Sequence, residues 1–223
     1  MGTKPWQRQD PEAFRLMRER LSTEYPELHL FERGDVVIVA GIFPLVDCRR
    51  VVDRYEIEIE LPRTYPRGVP GLRETGGRVP RDPDHHMESD GSACLFLPDE
   101  YSYRHPDGME LVEFLQGPVL GYFVGQGFVA RGEPWPFETR QHFGDGIVDF
   151  YHEVIGSDDR GIVRRYLEAL AAKELRGHWI CPCGSRKRVR DCHRASLDEL
   201  RWRIPRAIAG KSLAKLDREV PRA

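Results

Sequence analysis

Between residues 28 and 62 three stretches of β-branched and apolar residues follow one another with short polar breaks: LHLFER, DVVIVAGIFPLV and RYEIEIELP. The third alternates Tyr55, Ile57, Ile59 and Leu61 with charged residues, the period-two pattern of a strand with one buried face. The block reads as an antiparallel meander. Ahead of it, residues 10 to 22 (DPEAFRLMRERLS) open on an Asp N-cap and carry Phe14, Leu16, Met17 and Leu21 at helical spacing, which predicts an amphipathic helix. From Pro62 to Pro106 the many Pro, Gly and Asp residues keep regular elements short, and long ordered loops of this kind often carry function. Residues 110 to 130 resume helical spacing, with a break or kink expected at Gly117-Pro118. FGDGIVDFYHEVIG and DDRGIVRRYLEALAAKELRG predict two more helices, each closed by glycine, and residues 196 to 223 predict one or two basic helices split near Pro205.

Composition bounds the function classes. At 223 residues the chain suits one domain with an appendage. With 40% hydrophobic and 31% charged residues and a mean hydropathy of -0.54, it is expected to be a soluble globular protein. No apolar run reaches the length of a membrane span, and MGTKPWQRQDPE has no signal-peptide core, so no membrane partner and a cytoplasmic location are expected. The net charge of -2 hides an asymmetry: residues 173 to 223 hold 14 Lys and Arg against 6 Asp and Glu, leaving an acidic body of -10 with a tail of +8. An odd cysteine count of five argues against a disulfide framework.

Three of those cysteines crowd into twelve residues. Cys181, Cys183, Cys192 and His193 supply four thiol or imidazole donors, the number and kind that a tetrahedral Zn²⁺ site takes. Gly184 lets the backbone turn around the ion, and Lys187, Arg188 and Arg190 favour the anionic thiolates formed on binding. With all four positions filled by protein, the site is expected to be structural. The run CPCGSRKRVRDCH resembles the SEC-C motif, a short zinc module also found at the C-terminus of the bacterial preprotein translocase motor; Arg186 stands where that family usually has Gly. The resemblance is confined to the run from Cys181 to His193 and implies an interaction device for protein or nucleic acid.

A second constellation lies in the Pro-rich loop. A strand runs into Leu61-Pro62, then come Tyr65-Pro66 and Pro70, and the rigid prolines fix a wide turn. After a polar loop, Asp90-Gly91-Ser92-Ala93 delivers Cys94 on an irregular segment where a thiol can be exposed. The alternative for Cys94 is a small apolar thiol buried in the core.

This pattern, over roughly residues 10 to 155, resembles the ubiquitin-conjugating enzyme fold and is closest to its divergent bacterial members. Pro62, Tyr65, Pro66 and Pro70 match that family's proline pattern, and Asp90, Gly91, Ser92, Cys94 and Leu95 match its approach to the active thiol. The family's His-Pro-Asn triplet falls on Asp84-His85-His86, so His86 replaces the Asn that supports the loop and is thought to stabilise the oxyanion during aminolysis. Two roles stay open for His86, donating to the oxyanion or bracing the loop; His85 reads as solvated or structural.

The resemblance implies an α+β architecture: a four-stranded antiparallel meander sheet of ubiquitin-conjugating type flanked by helices, followed by a small C-terminal zinc knuckle and basic helices. The divisions expected are 1–175, 176–195 and 196–223. It further implies an enzyme that accepts a ubiquitin-like protein from an activating enzyme as a thioester on Cys94 and passes it to a target protein, with zinc as structural cofactor; bacterial relatives are often linked to defence against phage. Catalytic candidates are Cys94, His86 and Asp90. Glu88, Asp99 and Glu100 flank the thiol in sequence as further candidate orienting carboxylates, each weighed against a solvated loop charge. Cys48 reads as a packed strand residue, and Trp135 as an aromatic anchor in the core. Arg201, Trp202, Arg203 and Arg206 read as an exposed basic helix, with phosphates of nucleic acid or an acidic protein face as the alternative. The competing functions are a non-catalytic adaptor of the same fold and a nucleic-acid-binding module acting through the zinc tail.

Overall fold

The computed structural model describes residues 4–137 and 144–218. The architecture is α+β, and the chain divides into two compact units, Met1–Phe96 with Asp107–Phe137 and Leu97–Pro106 with Glu138–Ala223. No helix among the described residues is long and apolar enough to cross a membrane.

The first unit opens with α1 (Trp6–Gln9) and α2 (Pro11–Glu24). Asp10 caps α2 by accepting the Ala13 N–H at 2.9 Å, with Pro11 in the first turn where no N–H is needed. Leu21 is buried and Phe14 and Met17 pack beside it, since these three recur every three or four residues; Leu16 falls off that stripe and is 51% exposed.

Strands β1 (Leu28–Arg33), β2 (Val36–Asp47), β3 (Arg50–Leu61) and β4 (Gly71–Glu74) form one antiparallel sheet in chain order. The fourth strand is too short and too interrupted by its Pro and Gly neighbours to stand out in the sequence. The alternation in β3 is borne out: Tyr55, Ile57, Ile59 and Leu61 are buried while the charges between them face out or lie at the rim. Gly41 has a φ of 140°, and a Cβ there would lie 2.1 Å from the Glu27 carbonyl oxygen, so only glycine lets the chain enter β1 at this height.

The break or kink expected at Gly117-Pro118 takes the form of a π-turn and not of a helix end. Helix α4 (Leu111–Phe114) continues through a π-turn at Leu115–Val119 into α5 (Leu120–Ala130). The wider turn accommodates the missing N–H and the ring of Pro118 without ending the helix. Its apolar side, with Phe114, Val119 and Phe123, closes the core over the sheet, where the Phe123 and Tyr55 rings stack at 4.1 Å.

The second unit holds α3 (Pro98–Arg104), α6 (Gly144–Ile155), α7 (Arg160–Ala171), α8 (Arg194–Arg203) and α9 (Arg206–Arg218). The split at Pro205 is as expected. Gly156 closes α6 at a φ of 70°. Helix α7, in contrast, stops at Ala171 and Gly177 plays no part in ending it: Arg201 reaches back from α8 and donates to the carbonyls of Ala169, Leu170 and Lys173. Ile147, Phe150, Val163 and Leu167 share one core with Leu197 and Leu216. Helices α6 and α7 therefore pack with the C-terminal segment, whereas the sequence draws its boundary at 175; the apolar faces of α6 and α7 have their mates on α8 and α9.

Candidate thiol loop and metal knuckle

Cys94 sits in a short scaffold laid beside β4. Asp82 caps a 3₁₀ turn at Pro83–His85: its Oδ1 accepts the His85 N–H at 3.1 Å and lies 2.7 Å from His85 Nδ1. His86 ends the turn at φ 48°, ψ 42°, the left-handed region. Among residues with a side chain, Asn, Asp and His are enriched there, so a His is compatible with this position. Met87 then pairs with Ala93, and Ala93 N–H reaches Leu72 O at 2.8 Å. Cys94 donates its backbone N–H to the His86 carbonyl at 2.7 Å, and its side chain is exposed. This exposure excludes the buried alternative.

The two other catalytic candidates have identified structural work. The His86 ring lies 4.3 Å from the Trp135 ring, tilted by 48°. Trp135 in turn presses on α5 at Gly125, where a Cβ would come within 2.5 Å of the indole. Trp135 is half-buried and joins the core while also backing His86. Asp90 is exposed at the tip of the loop; its Oδ1 accepts the Ser92 N–H at 3.0 Å and the Ser92 hydroxyl, and its Oδ2 lies 3.5 Å from Arg73 Nη2. The Ser92 hydroxyl and N–H, helped by Arg73, hold the Asp90 carboxyl below the usual range.

Of the flanking carboxylates, Glu88 is exposed and Glu100 pairs with Arg104 at 2.8 Å. Asp99 is no orienting carboxylate for the thiol: it is wholly buried in the second unit, where Tyr151 donates to its Oδ1 at 2.9 Å and Ser212 to its Oδ2. Cys48, expected in strand packing, is exposed at the β2–β3 turn with a φ of 45°, followed by Arg49 at 67°; consecutive left-handed residues are what a tight hairpin requires.

Two braces escaped the sequence reading. Tyr122 and Gln126, one turn apart on α5, both donate to the His85 carbonyl, at 3.2 and 2.6 Å. Burial pushes the Tyr122 phenol well above its ordinary value, keeping it a neutral donor. Their spacing is helical, but nothing in it identifies a carbonyl far upstream in the chain as the target.

In the second unit the four expected metal ligands converge. Cys181 Sγ and Cys192 Sγ lie 3.3 and 3.2 Å from His193 Nδ1, Cys183 Sγ lies 3.6 Å from Cys192 Sγ, and all four donor atoms fall within 4.8 Å of one another. Donors about 2.3 Å from a central ion would sit about 3.7 Å apart, so the set fits one tetrahedral metal ion. Backbone pairing of Ile180 with Arg188 and the Cys181 N–H bond to Lys187 O at 2.8 Å close the knuckle. Gly184 (φ 82°) and Arg186 (φ 60°) are both left-handed, a conformation that costs nothing at Gly184 and is uncommon for a residue with a Cβ such as Arg186. Burial pushes the Cys181 thiol up, whereas for Cys183 burial is outweighed by the Ser185 hydroxyl and N–H and by the neighbouring thiols, which hold it down.

The basic tail is less available than its composition implies. Arg201 is occupied with the end of α7, and Arg203 stacks 4.9 Å over Tyr103, donates to the Tyr103 carbonyl and pairs with Glu199. Trp202 and Arg206 remain exposed. Compared with known proteins, the chain matches no family model, no curated protein and no solved structure.

Proposed function

We propose that this protein accepts the C-terminal carboxyl of a ubiquitin-like protein as a thioester on Cys94 and passes it to an amine of a target protein. The observation that carries the reading is the exposed Cys94, held by the His86 carbonyl at the end of a loop that follows a four-stranded antiparallel meander. The Cys94 thiolate attacks the thioester on an activating enzyme; a new sulfur–acyl bond forms, the old one breaks, and the activator's thiolate leaves. An amine then attacks the Cys94 acyl carbon and gives up a proton to water; a carbon–nitrogen bond forms, the carbon–sulfur bond breaks and the Cys94 thiolate leaves, while the developing oxyanion needs a donor. The Cys94 N–H is committed to His86 O and the Ala93 N–H to Leu72 O, so neither is spare for the oxyanion, and the His86 imidazole is the side-chain candidate.

The donor set of the knuckle is read as a structural zinc site, since three thiolates and an imidazole suit a borderline-soft ion and leave no open position. The two parts of the chain then divide the work between acyl transfer and recognition.

Incubation with the activating enzyme, ATP and modifier encoded nearest this gene is expected to give an adduct that thiol reductant removes, that Cys94→Ala does not form and that Cys48→Ala still forms. An adduct that survives Cys94→Ala would refute the reading. A second reading, a non-catalytic adaptor, is favoured by the engagement of Asp90 with Ser92 and of the His86 ring with Trp135. Full biological activity of the Cys94→Ala protein would support it.

A further inference from the structure

A groove of about 410 Å³ runs between α7 and the knuckle, lined by Ala169, Trp179, Ile180, Pro182 and Val189 with Arg165 and Glu168 at its rim. Ile180 is 63% exposed, although it stands beside the half-buried Trp179 and the buried Val189. An isoleucine that open, on the wall of an apolar groove, is positioned to gain burial from something that enters. The volume is within the range of ligand clefts and accommodates one bulky side chain.

The charged side chains around it are mainly cations, with Glu168 the exception. Arg188 is the bridge partner of Ile180, which puts their side chains next to each other on the knuckle edge. Arg165 is fixed at the rim by donating Nε to the Pro182 carbonyl at 3.0 Å. Neither cation has an ion-pair partner among the described residues, and neither do Arg186 and Lys187 at the knuckle tip. The rim's one carboxylate, Glu168, is already paired with Arg164 at 2.5 Å. From this apolar floor and mainly basic rim we infer that the groove docks a short protein segment carrying one bulky apolar side chain flanked by acidic residues. A nucleic acid fits less well: the lining is aliphatic apart from Trp179, and Arg201 and Arg203, which would extend a phosphate track along α8, are spent on backbone carbonyls.

The inference names a surface for the recognition half of the proposed function, yet it is tested by binding alone and holds or fails whether or not Cys94 carries an acyl group. Full-length zinc-loaded protein is incubated with an array of octapeptides that have Leu, Phe or Trp at the centre and Asp/Glu, Ser/Gly or Lys/Arg flanks, and in parallel with oligodeoxythymidylate. Acid-flanked peptides are expected to retain about tenfold more protein than basic-flanked ones. Ile180→Asp and Arg188→Glu should each remove that preference while metal content and melting temperature stay unchanged, because both side chains are exposed. No preference for acidic flanks, binding that survives both substitutions, or oligodeoxythymidylate displacing the peptides would overturn the inference.

Discussion

Replacing Tyr151 by Phe takes one hydrogen bond from a carboxylate that has no water to turn to. Asp99 and Tyr151 are both 0% exposed, and the hydroxyl donates at 2.9 Å. Ser212 supplies the second donor. A hydrogen bond to a charged group contributes about 1.5–3 kcal/mol, so Tyr151→Phe and Ser212→Ala should each cost about 2 kcal/mol. The double variant should cost less than the sum, because a buried carboxylate with no donor takes up a proton instead of bearing the full penalty. Burial pushes the Asp99 carboxyl above its ordinary value of 3.8, by more than the Ser212 and Tyr151 hydroxyls pull it down. With the folded value above the unfolded one, the stability that Asp99 contributes is full below pH 3.8 and is lost as pH rises through the raised folded value. Wild type should therefore lose stability relative to Asp99→Asn with rising pH, the reverse of a salt-bridged carboxylate. Urea denaturation followed by tryptophan fluorescence, at steps from about pH 4 to pH 8, reads both effects. A Tyr151→Phe cost below about 0.5 kcal/mol, or a wild-type advantage over Asp99→Asn that grows with pH, would refute the reasoning.

Two further outcomes are expected. Gly125→Ala should push Trp135 off α5, because the new methyl would meet the indole at 2.5 Å, at a cost of about 1–3 kcal/mol; a red shift of the tryptophan emission and altered His86 ring signals in NMR would show it, and unchanged spectra would contradict it. Chelation, or Cys192→Ser, should release one metal ion per chain and lower the unfolding transition of the C-terminal unit, as read by elemental analysis and calorimetry; a metal-free protein with an unchanged transition would contradict a structural role.

Much of this was legible in the sequence. The strand alternation from Tyr55 to Leu61, the Asp10 cap and the two C-terminal helices flanking Pro205 are local patterns, set by side chains close together along the chain. The metal ligands were legible for the same reason: Cys181, Cys183, Cys192 and His193 share one short run, and a tight knuckle brings them together whatever the rest of the chain does. Strand β4 was hidden because so short a segment does not establish a period. Pro118 marked where the helix turns irregular but not that it continues, because a π-turn absorbs a proline that an α-turn would reject. Arg201 looked like a surface cation because its targets, the last carbonyls of α7, lie on a different helix, well upstream of it in sequence.

By itself the sequence determined where the residue types capable of chemistry stand: a thiol after Asp-Gly-Ser-Ala, and four soft donors in one short run. Only the tertiary structure decided what those residues face. It put Cys94 in the open, turned Asp99 inward to Tyr151 and Ser212, laid His86 on Trp135, and set Ile180 against a basic rim. The physical reason is that residue type fixes what a group can donate, accept or coordinate, whereas burial and distant partners, which decide whether it is available to do so, arise from contacts that no local window contains.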